Sequence, residues 1–210
     1  MVYKSAVDSS KQVKLSCIAD IRTGLITTRK KKSGNDGRTF VYRLLNLKCI
    51  DAFGFINTEM VENFESSEKL KSDFFTRAGD ILIRLSYPYT IVFIDKKEHC
   101  GLLVPSHFAI VRANDPASAK YVFWALRRAK SRAALMQKSA STVALPVVTK
   151  IQIEELVIPI FSEEKQKLIG NIFIASEREH ELMLRLAEEK TRLYSALLEQ
   201  FENKYIGEKR

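Results

Sequence analysis

The sequence predicts an α+β protein: a mixed, mostly antiparallel, β-rich body followed by one long C-terminal helix. Three observations carry this. Short apolar runs bounded by turn residues recur before residue 114, as in ILIRL, YTIVFID and FAIVRA. From residue 163 onward apolar residues return every three or four positions instead. Hydrophobic residues make up 46% and charged residues 28% of the 210, a mixture that can bury a core, and Gly and Pro are few.

The elements follow in order. Residues 13–26, VKLSCIADIRTGLI, mix alternating and continuous apolar character and read as a strand or short helix ended by a turn at Gly24. TTRKKKSGNDGRTF is a basic loop with Ser-Gly and Asp-Gly turn signals. Residues 40–47 read as a strand and 53–57 as a shorter one, whereas the polar stretch 63–74 reads as a short helix or loop. Gly79-Asp80 makes a turn into a buried strand at 81–85, and 89–95 is a β-branched and aromatic strand. Residues 96–99 are a charged turn. Residues 101–113 read as two strand pieces broken at Pro105, which belongs at an edge or bulge.

Asn114-Asp115-Pro116 then starts a helix over residues 117–137. Val122, Phe123, Leu126 and Ala129 share one face, and Lys120, Arg127, Arg128, Lys130, Arg132 and Lys138 the other. SASTVALPVVT is a small-polar loop leading to Pro146. IQIEELVIPI returns as a short helix-like or strand segment ending at Pro159.

Ser162 is a good N-cap for the last helix, and Glu163 and Glu164 complement its dipole. A helix reaching Asn203 has about 40 residues and is roughly 60 Å long, which calls for a partner helix. Ile169, Phe173, Ser176, Met183, Ala187, Tyr194, Leu197 and Phe201 form one stripe. Leu168, Ile172, Ala175, Leu182, Leu186, Leu193 and Ala196 form an adjoining one. Two seams make a face broad enough to meet both the body and a second helix. Ile169, Ile172, Phe173, Leu182, Met183, Leu186, Leu193 and Leu197 are the expected dimer or partner contacts. The plain alternative is a helix packed across its own domain.

The net charge of +9 is unevenly placed. Residues 163–203 carry nine acidic and six basic side chains, and 204–210 one and three, which leaves +10 on residues 1–162. A basic body on a near-neutral helix points to a polyanionic partner. Cys17, Cys49 and Cys100 are far apart, with no CxxC pair, and read as reduced thiols. There is neither an N-terminal apolar h-region nor an apolar run long enough to span a bilayer. The expectation is a soluble, cytoplasmic protein with no membrane partner.

No catalytic motif emerges. GxGxxG and a Walker lysine are absent, and His99, His107 and His180 show no metal spacing with the cysteines, so neither metal nor cofactor is expected. YPYT at 87–90 lacks the Asn or Asp and the two consecutive prolines of amino-methyltransferase loops. Glu163-Glu164-Lys165 contains the Glu-x-Lys of many nucleases but lacks a companion Pro-Asp on a strand, and it reads as dipole decoration. The chain is expected not to be an enzyme.

At the joint, Thr149, Ile153, Leu156, Ile158 and Pro159 run into Ser162, Glu164, Gln166 and Ile169, and in this ordered combination the sequence resembles the specificity (S) subunits of type I restriction–modification enzymes. The first five fit that family's approach to its long helix, and the last four fit the entry. Phe161 stands where a second proline is common, and Lys165 interrupts the Glu run. Upstream, Ile21-Arg22-Thr23-Gly24, Gly54 to Asn57 and Gly79-Asp80-Ile81-Leu82 resemble the family's entry, hairpin and Gly-Asp turn. Ser139, Ser141 and Thr142 sit where it has a small Gly/Ser/Thr loop.

The resemblance implies a half-length form: a target-recognition domain over residues 1–160 and a conserved-region helix over 161–210 used for dimerisation, spacing and subunit docking. The implied role is sequence-specific recognition of half of a bipartite double-stranded DNA site. Partners would be DNA methyltransferase (M) subunits, a restriction/motor (R) subunit and a second copy of the chain. Candidate DNA contacts are Thr27, Thr28, Arg29, Lys30, Lys31, Lys32 and Arg38 in the basic loop, with Arg and Lys suited to phosphates and Arg also to guanine. Tyr87, Tyr89, Ser106 and His107 lie in turns at strand ends, and Ser139, Ser141 and Thr142 offer small donors. The basic face from Lys120 to Lys138 suits either the DNA backbone or the methyltransferase. A second reading is a non-catalytic coiled-coil scaffold with generic nucleic-acid binding.

Overall fold

The computed structural model describes residues 11–31, 38–139 and 147–207. Strands β1 (Lys11–Lys14), β2 (Ala19–Thr23), β3 (Phe40–Leu44), β4 (Glu62–Ser66), β5 (Ile81–Arg84), β6 (Ile91–Phe93) and β7 (Phe108–Ala113) come first. Helices α1 (Ala119–Arg127), α2 (Ala129–Ser139) and α3 (Lys150–Glu154), strand β8 (Val157–Ile160) and helix α4 (Glu163–Gly207) follow. The predicted α+β class, antiparallel sheets and long C-terminal helix are all present. The chain divides into two compact units between residues 171 and 172, so the first turns of α4 belong to the first unit.

The first unit is built on a four-stranded antiparallel sheet in the order β2-β7-β5-β6. Strand side chains alternate between faces. Leu82, Val92, Phe108 and Ile110 enter one core cluster with Leu45, Cys49, Ile50, Ile56, Leu102 and Val104. The alternate positions Ile81, Ile83, Ile91 and Val111 are buried too. On that second face Phe93 stacks on Phe123 of α1, with ring centroids 5.2 Å apart. A sheet covered on both faces explains why its strands read as continuous apolar runs. The β1–β8 and β3–β4 pairs are separate two-stranded antiparallel ribbons.

Several expectations shift in detail. The polar stretch 63–74 reads as a short helix or loop, yet β4 runs through 62–66 with only Phe64 and Ser66 buried. An edge ribbon with few inward side chains leaves little apolar signature. Residues 53–57 form a turn closed by a lone Ile50–Ile56 bridge rather than a strand. The single helix expected over 117–137 is two, because Arg128 takes an extended ψ of 142° and sets its guanidinium 5.1 Å from the Trp124 ring. The ambiguous 151–160 segment resolves into α3, held by a complete Thr149–Gln152 capping box, and then β8.

Asp80 anchors the Gly-Asp turn. Its carboxylate is 1% exposed and accepts from Arg112 Nε at 2.7 Å and Nη2 at 2.9 Å, and from the Arg77 amide at 2.8 Å. Gly79, at φ +87°, is in a region that glycine enters without strain. The pairing ties the start of β5 to β7.

At the joint, the buried Tyr121 hydroxyl donates to the Pro159 carbonyl, and its ring meets Phe161 edge-on at 6.1 Å. Burial pushes this phenol up to about 12, against the pull of the Arg128 charge. Gln166 donates through its side chain to the Phe161 carbonyl at 2.8 Å and through its amide to the Ser162 carbonyl at 2.9 Å, closing the first turn of α4. A Cβ on Gly170 would stand 2.8 Å from Lys120 Cβ and 2.9 Å from the Tyr121 amide nitrogen, so only glycine lets the helix approach α1 this closely.

The second unit is the remainder of α4. The whole helix has 45 residues, about 67 Å at 1.5 Å per residue. Leu182, Met183, Leu186, Leu193, Tyr194 and Phe201 are each more than half exposed. Among the described residues no helix is long and apolar enough to cross a membrane.

Asp80→Ala is expected to cost about 3–5 kcal/mol, because it strands the Arg112 guanidinium without its carboxylate. Denaturant unfolding of the two proteins checks this; a loss below about 1 kcal/mol would mean the pair does not organise the β5–β7 end.

Candidate nucleic-acid interface

One end of the four-stranded sheet gathers residues that are far apart in sequence. At this end β2 finishes, β7 begins, β5 finishes and β6 begins, as the pairs Thr23–Ala109, Arg84–Phe108 and Ile83–Ile91 require. Gly24 donates to the Phe108 carbonyl at 2.9 Å, Leu25 to Val104 at 2.8 Å and Ser106 back to Leu25 at 2.8 Å. These bonds set the Thr27–Arg29 turn beside Ser106 and His107. The Leu85 amide donates to the His107 carbonyl at 2.9 Å, which brings in the turn carrying Tyr87 and Tyr89. Val147 bridges Ser86, so the chain that follows the small-polar loop also arrives here.

The candidate side chains divide by environment. Thr28, Arg29, Lys31 and Arg38 are exposed. Lys30 is ion-paired with Glu68, and Lys31 bridges Ser66, so the basic turn is tied along the β3–β4 ribbon. Tyr87 is 70% exposed, whereas Tyr89 is buried at φ +55° and meets the Tyr87 ring edge-on with centroids 6.3 Å apart. Tyr89 therefore supports the turn and Tyr87 forms its surface. His107 is exposed and Ser106 half-buried. Lys32, Ser141 and Thr142 lie outside the described residues; Ser139 ends α2.

Three of the six basic side chains of the α1–α2 segment are engaged within the first unit. Lys120 donates to Asn171 at 2.8 Å, and Arg127 donates to the Phe53 carbonyl at 2.9 Å and the Ile91 carbonyl at 3.4 Å. Arg128 lies against Trp124. Lys130 and Arg132 remain exposed.

A cleft of about 270 Å³ opens between the sheet end and the β3–β4 ribbon. Thr27 and His107 line it together with Asn46, Lys48 and Glu62. The Asn46 carbonyl oxygen accepts from the amides of Lys48 at 2.8 Å and Cys49 at 3.1 Å, and its NH2 donates to the Met60 carbonyl at 3.1 Å. One clamped amide thus fixes the backbone on both sides of the cleft floor. Burial pushes the Cys49 thiol up, the Asn46 contact opposes this, and the Glu62 charge adds to it. Asn46, Lys48 and Glu62 are not legible as site residues from sequence, because an isolated Asn before Leu-Lys-Cys carries no motif.

No protein-family model and no curated protein matches the sequence. Solved structures do. The HsdS subunit from Thermoanaerobacter tengcongensis aligns at TM-score 0.57 and 19% identity, over 84% of this chain and 44% of that one. The S subunit of the type I restriction–modification system from M. genitalium aligns at TM-score 0.55 and 16% identity, over 90% and 44%. A chain from a structure of complex assembly and conformational transition of the type I R-M system aligns at TM-score 0.54 and 20% identity, over 85% and 45%. This chain spans less than half the length of each. The likeness is one of fold, to slightly under half of each of these chains.

Proposed function

We propose that this chain is a sequence-specific DNA-recognition subunit of a type I restriction–modification system. The observation that carries the reading is the gathering of the basic turn, Tyr87, Ser106 and His107 at one end of a sheet whose fold is that of S subunits. Four strands at roughly 4.8 Å spacing make an end about 15 Å across, close to the ~12 Å width of a major groove. Arg29 and Lys31 contact phosphates and hold register, while groups at the turns reach base edges. Residues 1–160 act as the recognition domain and 161–210 as the spacer helix. The chain binds one half of a bipartite site, docks methyltransferase subunits and, in the complete complex, a restriction subunit. It works in the cytoplasm and performs no chemistry of its own.

Homodimerisation through α4 is part of the same proposal. The exposed stripe that includes Ile172, Leu182, Leu186 and Leu193 supports it, because so long an apolar face is costly to leave in water. A twofold dimer would present two recognition units in inverted orientation, separated by the paired helices.

DNA pull-down with sequencing, with the methyltransferase subunit of the same system present, tests the reading. Enrichment of a bipartite inverted motif with a fixed spacer is the expected result; sequence-blind binding would favour a generic scaffold. Replacing both Arg29 and Lys31 by Ala is expected to weaken binding to all sequences alike and to flatten the salt dependence by about 0.9 in slope for each phosphate no longer neutralised. An unchanged slope would remove this turn from the interface. Leu186→Glu should shift the sedimenting species from dimer to monomer without unfolding it. A wild-type monomer at high concentration would rule out the dimer.

A further inference from the structure

Resting on the DNA reading above, we infer that the cleft bounded by Thr27, Lys48, Glu62 and His107 is a base-reading position, and that Glu62 is its specificity-determining acceptor. The Glu62 side chain is exposed on β4 and lines the cleft opposite Thr27 and His107. Among the described residues no hydrogen bond or ion pair engages its carboxylate. Glu68, just beyond β4, is engaged differently, being paired with Lys30. Glu62 thus lines the cleft with Lys48, next to the surface assigned to a polyanion, with no ion pair formed by its carboxylate among the described residues.

A carboxylate there opposes phosphate contact by Coulomb repulsion, so it does not add to backbone affinity. It has one favourable role against duplex DNA, which is to accept from an exocyclic amino group. In the major groove those donors are cytosine N4 and adenine N6. Guanine and thymine present only acceptors at the corresponding position, and a carboxylate facing them is repelled. The same charge that lowers affinity for DNA in general therefore discriminates among sequences.

The surrounding groups fit a base edge better than a phosphate. Thr27 supplies a hydroxyl that donates or accepts, Lys48 a donor, and His107 a ring with both capacities. The floor is held in place, because the Asn46 side chain accepts from the Lys48 and Cys49 amides and donates to the Met60 carbonyl. Asn46 is accordingly a positioning residue, whereas Glu62 and Lys48 face the cleft with their charged groups available.

The test is selection from a random duplex library by the full chain, with its methyltransferase subunit present, for wild type, Glu62→Ala, Glu62→Gln and Lys48→Ala. The wild type should enrich a motif with cytosine or adenine at the Glu62 position of each half-site. Glu62→Ala should lose that preference, on the order of ten-fold, and keep the others, with non-specific affinity unchanged or higher. Glu62→Gln, nearly isosteric at an exposed site, should move the preference toward adenine. Lys48→Ala should relax the preference at the same base pair and keep the preferences elsewhere in the motif. A Glu62→Ala motif identical to wild type at every position overturns this inference and leaves the DNA reading standing. A wild type that enriches no motif overturns both.

Discussion

The candidate interface at the sheet end depends on two backbones meeting at Gly24. A Cβ there would lie 2.2 Å from the Pro105 carbonyl oxygen and 2.5 Å from that of Val104. No side chain fits, and overpacking of this kind typically costs about 1–3 kcal/mol even when neighbours can shift. The close approach permits the Gly24–Phe108, Leu25–Val104 and Ser106–Leu25 hydrogen bonds. Those bonds make the exit from β2 and the entry to β7 a single rigid corner. Thr27 and His107 share a cleft because of that corner, although 79 residues of chain lie between them. Pro105 contributes by lacking an amide, so its backbone can face Gly24 without leaving a donor unsatisfied.

The joint to α4 rests on a different device. Where the family pattern favours a second proline, this chain has Phe161, and its ring packs edge-on against Tyr121. Tyr121 in turn holds the Pro159 carbonyl and contacts Trp124, at 5.3 Å between centroids. A proline would restrict the backbone locally, whereas Phe161 restricts it through an aromatic cluster with α1. Gly170 then lets the helix pass against Lys120 and Tyr121. Lys165 leaves the helix start intact: Glu163 and Lys167 pair one turn apart at 2.5 Å, and Gln166 closes the turn. Neither Phe161 nor Lys165 prevents the passage from β8 into α4.

Legibility in the sequence followed the strength of the burial signal. Strands β5, β6 and β7 were legible because both of their faces are covered, and α4 because its period is regular over many turns. Strand β4 was not, since Glu62, Asn63 and Glu65 point to solvent and the ribbon is held by pairing with β3 rather than by burial. The break at Arg128 was hidden because Arg is a good helix former and its extended conformation is stabilised by Trp124, a tertiary effect. Among the candidate contacts, residue type was readable but company was not. Nothing local distinguishes exposed Tyr87 from buried Tyr89, or Arg29 from the engaged Arg127. Asn46, Lys48 and Glu62 become a group only when β3 and β4 pair and the ribbon closes on the sheet end.

Counting charges alone overstates how much of the basic surplus can attract a polyanion. Arg112 is consumed by Asp80, Arg22 by Asp20 and Asp73, and Lys30 by Glu68, while Arg127 and Arg128 serve the packing of α1. Exposed pairs contribute little to stability, about 0–1 kcal/mol each, but each cancels a local charge. What remains at the sheet end is a few exposed cations, with the Glu62 carboxylate lining the cleft alongside Lys48. Cations alone would bind any duplex with similar strength, since every phosphate is alike. Selectivity needs groups that make most sequences worse, and an acid or a fixed hydrogen-bonding group does this while a lysine does not. A surface built for sequence choice should therefore be less basic than one built for affinity, and under the proposed reading the Lys30–Glu68 pair and the Glu62 carboxylate lower the charge of this surface in that direction.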